Sequence, residues 1–527
     1  MTRSRVVLAV TLSCFFLATS SASSHAQSNQ SGQSTAWAAA AIAHAQKMRM
    51  FPDADHGSQP TPPVLPGLEF DPDPSGLVST YQPGGATITS RNPFFQNLGT
   101  NGRTCFTCHQ PQTGWTISAQ SAHDRFFASH GNDPLFRLVD GATCPNDDVS
   151  TFAAQQKAYE LLIDRGLIRI GIAIPSNAKF TVTVVSDHYG CNTNPVTGLT
   201  SSTSGIVSAY RRPLPSTDLG FLTAIMWDGR EPSLASQALD ATLGHAQANE
   251  PGPSTEQQDQ IVNFESGLFT AQIFDDHALA LVAQPAQLNL TVPTNGTTAP
   301  CGQTSIAQTG GPFAIAALLP DFFIGINDPF GLNPCGTPFV ADVFHLYDPW
   351  GNLNGHDPVS TFRKSVARGQ VVFNTKPINI SGVAGINDVL GQPSLAGNCA
   401  TCHDVPNIGD HSVKAPLNIG ITDANPVPAL DVSNLPVFAV RCTDSSSPLF
   451  GQTFNVTDLG RALISGACAD IGKTKGPILR GLASRAPYFH NGSAATLMDA
   501  VEFYDERFNI GFTEQEKQDL ANFLATL

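Results

Sequence analysis

The sequence predicts a mainly α-helical chain of two related modules, joined by loop-rich, disulfide-stapled insertions. Three observations carry this expectation. A Cys-x-x-Cys-His pattern occurs twice, as Cys105, Cys108 and His109 and again as Cys399, Cys402 and His403. Amphipathic helical spacing marks "STFRKSVARGQVVFN" and "KQDLANFLATL" around the second copy. Charge is low at 13%, with 45 Gly and 39 Pro, which predicts many turns around compact cores. A length of 527 residues exceeds the usual single domain, so two or three are expected.

In chain order, residues 1–26 read as a secretory signal, with Arg3 and Arg5, a short apolar core from Val6 to Leu17, and a small-x-small site ending at Ala26. The apolar core is too short to span a bilayer, and no later segment is long and apolar enough to do so. The chain is therefore expected to be exported, periplasmic and not transmembrane. Residues 27–94 read as an N-terminal arm with a helical run at 36–50. Residues 95–358 form the first module, holding an insertion at about 130–210 that includes the strand-like "KFTVTVVSDHYG". Residues 359–527 form the second module. It closes on a capping box, Thr513 with Glu516, before a helix whose Leu520, Phe523, Leu524 and Leu527 share a face. Removing the signal takes the net charge from −15 to −17, because it deletes two arginines and no acid. That balance excludes nucleic acid and suits soluble or basic partners.

Of eleven cysteines, Cys14 lies in the signal and four in the paired motifs. The even remainder in an exported chain suggests three disulfides, by sequence order 144–191, 301–335 and 442–468. The paired motif itself is the attachment signal of c-type haem: two thiols bind the vinyl groups and the adjacent histidine takes the iron. Two covalently bound haems c follow, on Cys105, Cys108 and His109 and on Cys399, Cys402 and His403. A zinc site would need another pair of ligands at fixed spacing. Methionine often supplies the sixth ligand of electron carriers, but the chain holds only five: Met1, Met48, Met50, Met226 and Met498. At least one iron is then expected to have another sixth ligand or none.

Two further stretches carry a resemblance. "MWDGREPSLASQALDATLGHAQA" lies between the haem motifs and "KGPILRGLASRAPYFHNGSAATLMDAVEFYDERF" follows the second. In this order they resemble the bacterial dihaem cytochrome c peroxidase and MauG superfamily. The resemblance implies that the first haem reacts with peroxide, that the second relays electrons, and that Trp227 bridges them. It implies that Tyr504, fourteen residues after His490, caps the second iron, as Tyr does in MauG where the peroxidases use Met. Tyrosinate is a hard anionic ligand and lowers the potential. Gln237 matches a distal glutamine. Gln247 stands where the family has a catalytic Glu and cannot shuttle a proton, whereas the nearby His245 can. His123 and His130 flank the place of a distal histidine, but the surrounding sequence departs from the pattern, so an open first site is expected. The family's calcium is held by an Asn and main-chain carbonyls. The carbonyl positions correspond to Arg485 and Pro487, but the Asn position holds Arg212, which leaves calcium an open question.

The expectation is a dihaem peroxidase-like oxidoreductase that takes hydrogen peroxide and draws electrons from a small redox protein such as a cytochrome c or cupredoxin. The alternatives are MauG-like oxidation of a protein or organic substrate through high-valent haem, a non-catalytic electron carrier, and an oxygenase using O₂.

Overall fold

The computed structural model describes residues 61–281, 322–331 and 333–527. The signal segment, the helical run at 36–50 and Cys301 lie outside these residues. No helix among the described residues is long and apolar enough to cross a membrane.

The expectation of a mainly α fold is not met. About 29% of the described chain is helical, and fourteen short strands form five antiparallel sheets. Helices occur in both modules and also in the insertion, as Phe152–Ala158 and Glu160–Arg165. The strands come from the connecting segments, where β-branched and aromatic residues alternate between turns.

The second module shows how the helices are made. Pro358–Thr375 starts at Asp357, whose side chain accepts from the Ser360 amide, with proline at the first helical position. Glu514–Leu524 starts at the Thr513/Glu516 capping box read from the sequence. The two helices pack through Val366, Phe373, Leu520 and Phe523, with Leu527 in the same core. Gly369 makes this crossing possible, since a Cβ there would meet the Asp519 carbonyl oxygen at 1.9 Å. Arg368 and Ser365 both bind the Asp519 carboxylate, which closes the buried edge of the pair.

The arm and the insertion do more than decorate the surface. The hairpin of strands Leu68–Asp73 and Gly76–Tyr81 joins Phe269–Asp275, building a four-stranded sheet. In the insertion, Ile168–Ala173 pairs with Ser204–Arg211. Strand Phe180–Ser186 leaves its own half of the chain and pairs with Val437–Cys442, with Val182 opposite Val440. Thr453–Val456 completes that sheet on the other side. Phe180, Val182, Val207, Phe438, Val440 and Val456 form one core across both halves. Disulfides Cys144–Cys191 and Cys442–Cys468 are present as paired from sequence order.

Candidate functional site

Both Cys-x-x-Cys-His motifs adopt the same local structure. Cys105–Thr107 and Cys399–Thr401 are single 3₁₀ turns, each opened by a capping box, Thr104 with Thr107 and Asn398 with Thr401. The turn brings His109 N to Cys105 O and His403 N to Cys399 O, both at 3.0 Å. All four cysteines are free thiols. His109 Nδ1 donates to Trp115 O at 2.7 Å, and His403 Nδ1 donates to Gly409 O at 2.6 Å. A carbonyl can only accept, so each ring carries its proton on Nδ1 and keeps the Nε2 lone pair for a metal. Burial pushes His109 down to about 4 and lowers His403 as well, which keeps both rings neutral and ligand-ready.

Each motif faces a cavity. The first encloses about 1360 Å³ counted out to its mouth, and the second about 1420 Å³. A thiol pair, an oriented neutral imidazole and a large cavity at each motif fit a covalently held macrocycle with its iron on the histidine.

Helix Leu234–Gly244, capped by Ser233, puts Gln237 on the wall of the first cavity. His245 follows the helix and is also on the wall. Its Nδ1 donates to Asp140 Oδ2 at 2.5 Å. Asp140 takes two further bonds from Arg103 Nη1, at 2.6 and 2.8 Å, and this buried ion pair keeps its carboxyl below the ordinary range against the opposing effect of burial. The segment after the helix is pinned to the first motif. Asn101 Nδ2 donates to His245 O, Thr100 N to Ala246 O, and a Cβ on Gly99 would meet Ala246 O at 1.8 Å. Only glycine permits that approach.

Gln247 does not join the cavity. It is exposed, at φ +56°, with its amide oxygen 3.4 Å from Asn101 Nδ2. The turn that pins His245 inward directs this position outward. His123 and His130 are exposed at the helix Ala119–Ser129 and its cap, beside Phe127 and Phe152, and line neither cavity.

Three wall residues of the first cavity that were not among the sequence candidates bear on its chemistry. Asp140 and Arg103 are two. Glu265 is the third: buried, with Oε2 unpartnered among the described residues. Burial pushes its carboxyl up to about 7, against a hydrogen bond from Ser216. No local sequence signal marks these three, because their roles depend on contacts distant in sequence.

In the second cavity Tyr504 shares the wall with His403. It projects from helix Leu497–Phe508, which starts at the Thr496/Asp499 capping box, and packs with Phe503 and Phe508. Burial raises its phenol above the ordinary range. Met498 packs in the hydrophobic core instead.

Trp227 lines both cavities. Its indole N–H donates to Arg212 O at 2.7 Å, its ring lies 6.1 Å from that of His490, and the Lys475 ammonium is 5.9 Å from its face. The rest of the Trp-Asp-Gly-Arg motif fixes it. Asp228 is fully buried and paired with Arg211 and Arg230, and Arg461 binds the carbonyls of Asp228 and Gly229. Arg212, which stands where the resemblance has a calcium-binding Asn, donates its guanidinium to main-chain carbonyls including that of Arg485.

No family model matches the chain. Two curated proteins of Denitromonas iodatirespirans do. Cytochrome-c peroxidase IdrP2 is 33% identical over 138 residues, 25% of this chain and 36% of that protein. Cytochrome-c peroxidase IdrP1 is 41% identical over 69 residues, 11% of this chain and 18% of that protein. The chain thus matches about a third of the first relative's length and under a fifth of the second's. A crystal structure of a MauG-like protein associated with microbial copper homeostasis aligns over 61% of this chain and 74% of that one, at 16% identity and a TM-score of 0.30, too loose a likeness to carry a fold argument. The chain is thus similar, over part of its length, to two bacterial cytochrome-c peroxidases.

Proposed function

We propose that the chain is an exported dihaem c-type oxidoreductase that reduces hydrogen peroxide to water in the first cavity, taking electrons through Trp227 from the second. The observation that carries this reading is the His245–Asp140–Arg103 array on the wall of a cavity that shares Trp227 with its neighbour. Haem iron on His109 and on His403 would supply peroxide binding in one cavity and electron storage in the other.

The chain's own residues then have defined tasks. Cys105 and Cys108, and Cys399 and Cys402, hold the two groups by thioether bonds. The carbonyls of Trp115 and Gly409 fix the orientation of the two proximal imidazoles. His245 donates Nδ1–H to Asp140, so Nε2 is free to take a proton from one peroxide oxygen and return it to the other as the O–O bond breaks. Arg103 keeps Asp140 ionised, which holds the tautomer. Gln237 offers an amide hydrogen bond to the same space. Glu265 is a second proton-holding group on that wall. Overall, H₂O₂, two protons and two electrons give two waters.

Tyr504 favours a second reading. With haem iron held by His403, Tyr504 bound as tyrosinate would stabilise the oxidised forms, which would suit MauG-like oxidation of a protein or organic substrate better than routine relay. The two readings share the first cavity and differ in what supplies the electrons.

The deciding experiment is EPR and optical titration of the purified holoprotein with peroxide. A high-spin signal that peroxide consumes is expected. Two low-spin signals that peroxide leaves unchanged would establish a simple electron carrier instead. Steady-state assays with a small cytochrome or cupredoxin as donor then separate the peroxidase from the MauG-like role.

A further inference from the structure

Arg212 is a buried cation in an unusual setting. Among the described residues it forms no ion pair. Its Nη1 donates to Arg165 O at 3.0 Å, and its Nη2 donates to Ile117 O and to Arg485 O, both at 2.6 Å. These carbonyls belong to three segments far apart in sequence. Ile117 follows the first haem motif, Arg165 ends an insertion helix, and Arg485 lies in the second module. A buried charge without a carboxylate is costly unless polar groups replace its hydration. Burial and the neighbouring Arg485 cation push Arg212 down to about 9, so it still carries its charge at pH 7.

Space for the guanidinium is built in. Gly166 sits at φ +60°, and a Cβ there would come within 2.3 Å of Arg212 Nη1. The backbone of Arg212 is equally engaged. Its N–H donates to His490 O at 2.6 Å, and its carbonyl accepts from the Trp227 indole. Converging main-chain carbonyls around a positive charge are the donor set of a hard cation such as calcium. The Arg485 carbonyl is itself one of the oxygens that the superfamily resemblance assigns to calcium. Here a side chain already fills that place, so calcium does not fit.

We propose that the Arg212 guanidinium is a covalently built-in substitute for a calcium ion, gathering three segments of the chain and positioning Trp227 between the two cavities. Arg212 is a positioning residue: neither proton nor electron passes through it. The chain should therefore need no calcium, and removing the guanidinium should leave a carbonyl cradle able to accept one. This inference is independent of whether peroxide is the oxidant.

The test uses the full-length holoprotein, calcium chloride and EGTA, with calorimetric calcium titration and melting temperature as readouts. Wild type should bind no calcium and melt at the same temperature in calcium and in EGTA. Arg212→Asn and Arg212→Ala should melt lower in EGTA and recover part of the loss in calcium, with one calcium bound per chain. Arg212→Lys, which keeps the charge, should melt between wild type and Arg212→Ala and stay indifferent to calcium. Stoichiometric calcium binding by wild type, or a loss of its stability in EGTA, would overturn the proposal, and both can be read even if the Ala and Asn variants do not fold. Variants that lose stability and gain no calcium response would also overturn it, reducing Arg212 to a hydrogen-bond clamp.

Discussion

On the proposed reading His245 takes the proton-transfer role that Gln247 cannot, and that role rests on one bond to Asp140. His245→Ala should slow the reaction with peroxide by about 10²- to 10⁴-fold, the usual weight of general acid–base catalysis. Asp140→Asn should also slow it, because the amide does not stabilise the charged ring and, with its oxygen drawn to Arg103, turns its NH₂ towards Nδ1 and no longer holds the Nδ1–H tautomer. Stopped-flow optical kinetics check both. A His245→Ala variant with undiminished peroxide reactivity removes His245 from the mechanism. Tyr504→Phe should change the low-spin haem spectrum while leaving the first cavity's peroxide reaction intact, and an unchanged EPR spectrum would exclude Tyr504 as a ligand.

Glu265 adds a pH signature. Its folded-state value of about 7 lies above its ordinary 4.5, so folding favours the protonated form. That contribution is fully present below pH about 4.5 and is lost as pH rises towards 7, by roughly 3 kcal/mol at most. Glu265→Gln should flatten the stability profile in that window, and denaturant melts of wild type and variant across pH 4–8 measure the difference. At this scale local or familial spacing singled out the attachment motifs, Trp227 and Tyr504, and all of them lie on cavity walls. Asp140 and Glu265 were not legible in the sequence, since each acquires its role from a partner or cavity assembled by distant segments.

Among the elements, the insertion deserves the closest test. Its strand Phe180–Ser186 was visible as an alternating β-branched run, but nothing in that run names Val437–Cys442 as its partner. Pairing across halves depends on which edge is exposed when both fold, and a single sequence does not record that. The same blindness led to a mainly α expectation, because the helical modules advertise themselves through capping and long periodicity while strands of two to eight residues do not. The Cys442–Cys468 disulfide closes a separation of 26 residues beside this sheet. Replacing both cysteines with serine should cost roughly 3.5 kcal/mol on the chain-entropy account. Chemical denaturation reads the loss, which should appear first as exposure of the shared core around Phe438 and Val440.

The whole molecule carries a net charge of −15. An acidic surface steers basic partners and repels acidic ones over about a Debye length. Reduction by a basic cytochrome or cupredoxin should therefore slow by about tenfold between low salt and 0.5 M salt. Reduction by a small neutral reductant should not. Equal salt responses for the two donors would show that encounter is not electrostatically guided. Both cavities share a wall at Trp227, whose surroundings are fixed by Asp228, Arg211 and Arg212.

The strand that crosses from the insertion into the second half has a further consequence. The two halves of the chain are not interchangeable cassettes. A C-terminal half grafted from a relative without a hairpin like Val437–Val456 would leave Phe180–Ser186 as a bare edge, with Phe180 and Val182 stripped of cover. Lineages that trade modules would have to exchange the insertion and the hairpin together, as one inherited unit.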